Sequence, residues 1–207
     1  MNRDIRISFV GDSFVQGVGD PEYRGWVGRV LQSTAGGPEP APTGFNLGIR
    51  RNTSEDVRRR LGRELAPRLV PGADNRLVVS FGSNDMVEEE GRLRVEADRT
   101  LENLDAVLEE AARLRAAALV VGPPPVIDAG EPHLLRTRAL AERMAALCEK
   151  RGLPFVPTTD ALAEDPAWRT EALAGDGAHP ASGGYRRLAG IVLSSGWARW
   201  LATGDRA

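Results

Sequence analysis

Ile5-Arg6-Ile7-Ser8-Phe9-Val10, followed at once by Gly11-Asp12-Ser13, is a short apolar run closed by turn-forming residues. A run of that length, ended by glycine, reads as a β-strand that gives way to a turn. The same pattern recurs downstream. Phe45 to Leu47 is a weak second strand, Leu77 to Phe81 a strong third, and Leu119 to Val121 and Pro154 to Val156 a fourth and fifth. Between them the apolar period lengthens to 3.6 residues. Val57, Leu61 and Leu65 line one face of a helix opened by Thr53 or Ser54 as cap. Ala97, Leu101, Leu104, Leu108 and Ala111 form a longer stripe, and Leu140, Met144, Leu147 and Cys148 another. A helix is also expected near Trp26 to Leu31. The last helix carries Tyr185, Leu188, Val192 and Leu193 and is expected to continue to Trp200 and Leu201, with Trp197 and Trp200 serving either core or interface. Strand–helix alternation implies right-handed crossovers and a mainly parallel five-stranded sheet covered on both faces, an α/β fold.

The chain has 207 residues, enough for one domain that buries roughly 70% of its unfolded surface. No internal repeat or long linker divides it, so a single domain over 1–207 is expected, with Pro38–Pro42 as a surface loop. A formal charge of -2 gives no global attraction to nucleic acid or anionic membrane. Lys150 is the sole lysine, so nearly all the positive charge is arginine. Cys148 is the sole cysteine, which excludes an intramolecular disulfide and a cysteine-rich zinc site, and the two histidines exclude a multi-histidine metal site. No secretory leader is evident after Met1, and no apolar stretch reaches the roughly 18 residues that span a bilayer. A cytoplasmic setting without stable membrane association is the expectation; oligomeric state is unreadable.

In parallel sheets, ligands bind beyond the carboxyl ends of the strands, so the loops there decide the chemistry. In Gly11-Asp12-Ser13 the serine sits where strand becomes helix, with its hydroxyl able to face a cleft and its N–H a developing anion. The plain alternative is a helix cap. Asp176-Gly177-Ala178-His179-Pro180 places a carboxylate and an imidazole three residues apart before the final helix. A serine nucleophile needs such a base, and the base needs an orienting partner. Gly177 permits the backbone to turn between the two; the alternative is a solvated surface turn. His133, in Glu131-Pro132-His133 at the start of a helix, is the rival base but has no orienting carboxylate nearby in sequence. Gly82-Ser83-Asn84-Asp85 offers the Asn84 amide as an oxyanion donor, or simply turn chemistry. Gly48, at the end of the second strand, offers a further N–H.

Together these blocks fall on one sheet edge, and they resemble the SGNH, or GDSL-like, hydrolases. The family's Gly-Asp-Ser block is similar to Gly11-Asp12-Ser13, its block-two glycine to Gly48, its Gly-x-Asn-Asp block to Gly82-Ser83-Asn84-Asp85, and its Asp-x-x-His block to Asp176-Gly177-Ala178-His179. The likeness runs from residue 11 to 179. It implies a flavodoxin-like three-layer α/β/α sandwich. It further implies Ser13 as nucleophile, His179 as general base and acid, Asp176 as orienter, and an oxyanion hole of the Ser13 and Gly48 N–H groups with the Asn84 side chain. Known relatives are esterases, lipases, lysophospholipases, thioesterases and carbohydrate acetylesterases, which need neither metal nor organic cofactor. The expected partner is therefore a small-molecule ester.

The chain departs from the family where a small Ser-Gly pair often follows block two. Here stand Arg50 and Arg51, then Asn52 and Thr53. The guanidiniums could recognise a substrate carboxylate or phosphate, pair with Glu55 or Asp56, or be solvated. Asp12 is a further candidate substrate contact. So is Pro124, in the Gly122-Pro123-Pro124-Pro125-Val126 stretch that resembles a rigid cleft wall. The competing class is a non-catalytic α/β binding module. No GxGxxG or GxxxxGK[ST] follows the first strand. A phosphoacceptor switch would want an aspartate closing strand three and a lysine after strand five; Phe81-Gly82 and the early Lys150 do not supply them.

Overall fold

The computed structural model describes residues 3–37 and 41–203. The loop expected at Pro38–Pro42 therefore lies largely outside the described residues. Strand β1 (Ile5–Gly11) runs into a single helical turn, α1 (Ser13–Gln16), and then α2 (Gly25–Thr34). There follow β2 (Thr43–Gly48), α3 (Ser54–Leu65), β3 (Asp74–Ser80), a small hairpin of β4 (Glu88–Glu89) and β5 (Arg92–Leu93), and α4 (Ala97–Arg113). Next come β6 (Ala117–Val121), α5 (Gly130–Lys150), β7 (Phe155–Val156), α6 (Thr159–Ala163), α7 (Pro166–Ala174), α8 (Ser182–Val192) and α9 (Ala198–Ala202).

The main sheet has the order β2-β1-β3-β6-β7, and every neighbouring pair in it is parallel. The expected "mainly parallel" sheet is thus wholly parallel, with the antiparallel pairing confined to the β4–β5 hairpin. After β2 the chain crosses over β1 to build the other half of the sheet. The direction of growth reverses there, and such a switch point opens a crevice outside the strands' carboxyl ends. The strand ends at that crevice lead into Gly11-Asp12-Ser13 after β1, Gly48 at the end of β2 and the 82–84 loop after β3.

Alternation along the strands feeds two cores. Ile5, Ile7 and Phe9 of β1, Val78 of β3, and Leu119 and Val121 of β6 face one side, against α2, α7, α8 and α9. Val10, Leu77, Val79, Ala118 and Val120 face the other, against α3, α4 and α5 through Leu61, Leu104, Leu108, Leu140 and Met144. Each large apolar side chain buried this way contributes roughly 1.5–3 kcal/mol. This is the three-layer α/β/α arrangement. Helix α3 starts with a capping box at Thr53. The Thr53 side chain accepts from the Asp56 N–H, and the Asp56 carboxylate accepts from the Thr53 N–H at 3.0 Å.

At the C-terminus one expectation is corrected and one open alternative is decided. The last helix does not run unbroken to Leu201: Ser195 and Gly196 leave helical geometry inside a wide turn over Leu193–Trp197, and α9 resumes at Ala198. Trp197 and Trp200 belong to the core, where Trp197 stacks on Phe9 and donates from Nε1 to Thr34 Oγ1 at 2.9 Å. The hairpin and the short helices α1, α6 and α7 have too few residues to leave a readable period. No helix among the described residues is long and apolar enough to cross a membrane.

Candidate active site

Asp12 caps α1, its Oδ1 accepting the Phe14 N–H at 2.9 Å. This turn presents Ser13 as the first helical residue, at the end of β1. At the far end of the chain, the segment between α7 and α8 folds back on itself. The Gly177 N–H bonds to Ala172 O at 2.9 Å, and Gly177 has φ +81°, a left-handed conformation that the turn requires. The Asp128 N–H donates to Gly177 O at 2.9 Å and pins the loop from the other side.

Two sequence-distant segments meet here. Ser13 Oγ lies 2.7 Å from His179 Nε2, and His179 Nδ1 lies 2.7 Å from Asp176 Oδ2. Asp176 Oδ1 also accepts the N–H groups of Ala178 at 3.1 Å and His179 at 2.9 Å. Burial works against the charge on Asp176, but the His179 N–H, the imidazole and the Ala178 N–H outweigh it and hold the carboxyl at about 2. It is therefore ionised throughout the neutral range. An ionised Asp176 makes Nδ1 the protonated ring nitrogen and leaves the Nε2 lone pair for the Ser13 hydroxyl. The imidazole is packed against Phe14, with ring centroids 5.1 Å apart.

The remaining candidates are placed less uniformly. Asn84, half-buried after β3, donates one amide N–H to Asn52 O at 3.0 Å, and its second N–H has no partner among the described residues. Gly48 approaches α1 so closely that a Cβ there would lie 2.1 Å from Gln16 N. Its N–H, expected to face an oxyanion, is instead donated to Asn46 Oδ1 at 3.0 Å, because Asn46 also reaches across to Val15 O. Arg51 has φ +69°, and its N–H takes no hydrogen-bond partner among the described residues. The residues flanking it both reach the site. The Arg50 N–H bonds to Gln16 Oε1 at 3.0 Å, and Asn52 O holds Asn84.

The arginine side chains do not pair with Glu55 or Asp56. Arg50 Nη2 sits 3.2 Å from Asp176 Oδ2, and Arg51 Nη2 sits 3.3 Å from Glu89 Oε1. Both pairs are exposed and contribute little to stability. Pro124 is buried, and its carbonyl accepts the Ser83 hydroxyl at 2.6 Å, so it braces the Asn84 loop. The rival base His133 is buried, with Nε2 at 3.0 Å from Ser83 O. Burial pushes its basicity down, and its ring joins α5 to that same loop.

Asp12 does not reach the cleft. It is fully buried, so the expected substrate contact gives way to the capping role. Its Oδ2 has no hydrogen-bond partner among the described residues. Burial, with Asp85 adding repulsion against the Phe14 N–H bond, raises its carboxyl to about 7. The folded value thus lies above the unfolded one. The associated stability is complete below about pH 4 and is lost as pH rises through 7. Asp12→Asn keeps the capping oxygen and cannot ionise. We expect it to melt on the order of 10 °C above the wild type at pH 8.5 and to converge with it near pH 4. Thermal denaturation at both values checks this; a pH-independent difference would show that Asp12 is ionised in the fold.

A sequence profile of the GDSL-like lipase/acylhydrolase family matches residues 9–187. A Bacillus subtilis protein, YpmR, whose own role is uncharacterised, is 31% identical over 85 residues. That match covers 41% of this chain and 33% of YpmR, so this chain aligns with about a third of that relative's length. Among solved structures, a lipase/acylhydrolase from Enterococcus faecalis superposes with a TM-score of 0.73 at 23% identity, covering 94% of this chain and 96% of that one. The acetylxylan esterase Axe2 of Geobacillus stearothermophilus gives 0.75 at 21% identity, with 94% and 96% covered. The psychrotrophic esterase EstA from Pseudoalteromonas sp., in a structure inhibited by monoethylphosphonate, gives 0.74 at 17% identity, with 97% and 100% covered. These three share the fold. With the family profile spanning most of the sequence, the chain belongs to the GDSL-like lipase/acylhydrolase family of hydrolases acting on ester bonds.

Proposed function

We propose that this chain hydrolyses carboxylic esters of small or short-acyl substrates through an acyl-enzyme on Ser13. The observation that carries this reading is the unbroken line from Ser13 Oγ through His179 to Asp176, with both heavy-atom separations at 2.7 Å. His179 Nε2 takes the Ser13 proton as Oγ attacks the ester carbonyl. Asp176 stabilises the imidazolium that forms, and His179 then gives the proton to the departing alkoxide. In the second half, His179 deprotonates a water molecule that attacks the acyl-enzyme carbonyl. Proton transfer back to Oγ as the acid departs restores the hydroxyl.

Negative charge on the tetrahedral oxygen is met by the Ser13 N–H and the second amide N–H of Asn84. With the Gly48 N–H engaged by Asn46, the unpartnered Arg51 N–H is the better third donor. This also gives a reason for a non-glycine residue to occupy a left-handed conformation there, which costs of order 1 kcal/mol or more. The acyl group remains open between simple esters, thioesters, lysophospholipids and acetylated sugars. Axe2, named as an acetylxylan esterase, favours including acetylated sugars in the first substrate panel.

Purified protein is expected to release p-nitrophenol from p-nitrophenyl acetate in the presence of EDTA. If the Arg51 backbone rather than its side chain matters, Arg51→Gly should retain kcat within about 3-fold, because glycine keeps the N–H and suits the backbone angle. Absence of turnover on every short-acyl ester, thioester and acetylated sugar would contradict the proposed function. A large kcat loss in Arg51→Gly with neutral and anionic esters alike would remove the backbone assignment.

A further inference from the structure

Behind the oxyanion side of the cleft, one side chain joins two loops that the proposed chemistry requires to be held in register. Arg60 projects from α3 with its guanidinium mostly buried. Its Nη2 donates to Gly11 O at 2.8 Å, at the end of β1 and one peptide before the Asp12-Ser13 turn. Its Nε donates to Asn52 Oδ1 at 2.8 Å. Asn52 in turn accepts, on its backbone oxygen, the Nδ2–H of Asn84 at 3.0 Å. The remaining Nη1 forms an ion pair with Glu64 Oε1 at 3.5 Å and no shorter hydrogen bond among the described residues.

The Glu64 ion pair lies within one helix, at partly exposed side chains, and contributes little to stability, so it does not by itself account for the buried guanidinium. The guanidinium's value here is geometric. Two N–H groups of one rigid plane fix the strand end that carries the nucleophile relative to the residue that aims the Asn84 amide. We infer that Arg60 is a positioning residue, acting through Asn52 to set the separation between Ser13 and the Asn84 oxyanion donor. This rests on the proposed role of Asn84. A preorganised donor is sensitive to displacements well below 1 Å, so loosening this tie reduces transition-state binding far more than substrate binding.

The test is a kinetic cycle with p-nitrophenyl acetate on the full chain: wild type, Arg60→Met, Asn52→Ala, Asn84→Ala and the double variant Arg60→Met/Asn84→Ala. Arg60→Met is expected to lower kcat about 10- to 100-fold with KM within about 3-fold. Asn52→Ala, which severs the same tie at a half-buried loop position, is expected to reproduce that loss. In the Asn84→Ala background, Arg60→Met should cost less than about 3-fold more, because the amide it positions is gone. Multiplication of the two losses in the double variant would overturn the inference. So would wild-type kcat in both Arg60→Met and Asn52→Ala while Asn84→Ala is slow. Should Arg60→Met fail to fold, Asn52→Ala alone and in the Asn84→Ala background gives the same decision. An Asn84→Ala protein with unchanged kcat would instead sink the proposed role of Asn84 itself, and the inference about Arg60 with it.

Discussion

Ser13→Ala is expected to lower kcat on a short-chain ester by about 10⁴- to 10⁶-fold while KM changes little. The expectation follows from the geometry around the hydroxyl. Ser13 Oγ is held 2.7 Å from His179 Nε2, and Asp176 receives the opposite ring nitrogen at 2.7 Å, so removal of Oγ leaves a base with nothing to deprotonate. His179→Ala should fall by a similar factor. The double variant should be no slower than either single one, since nucleophile and base act as a unit. What survives would come from the oxyanion donors and substrate binding, roughly 10³-fold over water. Steady-state rates of the three variants measure this. A double variant slowed by the product of the single losses would mean that Ser13 and His179 serve separate steps.

The second large effect belongs to Asn84. Asn84→Ala is expected to lower kcat by about 10²- to 10³-fold with KM nearly unchanged, because the lost hydrogen bond exists only when the carbonyl oxygen carries charge. Its amide already has one N–H fixed by Asn52 O, so the second is oriented before substrate arrives. That pre-orientation is what makes a donor effective, as no reorganisation is needed in the transition state. A rise in KM with kcat intact would place Asn84 in substrate binding instead.

The ends of the strands were the most legible part of this chain. Apolar runs at Ile5–Val10 and Leu77–Phe81 are bounded by glycine, and the side chains that matter lie within two to three residues of those boundaries. A motif of that kind is local, so Ser13 and Asn84 stand out at strand ends and Asp176 and His179 as a pair three residues apart, each weak alone and given its role only by the resemblance of the four blocks together. Relations between distant segments are not local, and there the sequence is mute. Arg50 meets Asp176 across 126 positions, whereas a sequence reading turns first to its near neighbours Glu55 and Asp56. Arg60 looks like one more solvated arginine on the polar side of α3, since its partners at Gly11 and Asn52 are set by how α3 lies on β1.

Gly48 illustrates a subtler limit. Glycine at a strand end is compatible with either a donor role or a close approach of backbones. The 2.1 Å that a Cβ would leave to Gln16 N shows that packing suffices to require it. Asn46, two residues earlier, then satisfies its N–H, and nothing in the residue types predicts that pairing. Asp12 likewise reads as cap or ligand, and only its complete burial separates the two. The break at Ser195–Gly196 was within reach, because glycine is among the weakest helix formers, but the apolar stripe on either side masks it.

The central claim, that Ser13 is a nucleophile activated by His179 and Asp176, is tested most directly by covalent labelling. The intact mass of the protein would be measured after reaction with a fluorophosphonate, and the modified peptide located by fragmentation. A phosphonate ester forms when Oγ attacks phosphorus and fluoride leaves, the serine proton passing to His179. One adduct per chain, on Ser13, formed much more slowly in His179→Ala and absent in Ser13→Ala, is the predicted result. An unlabelled Ser13 in a protein that still hydrolyses p-nitrophenyl acetate would contradict it.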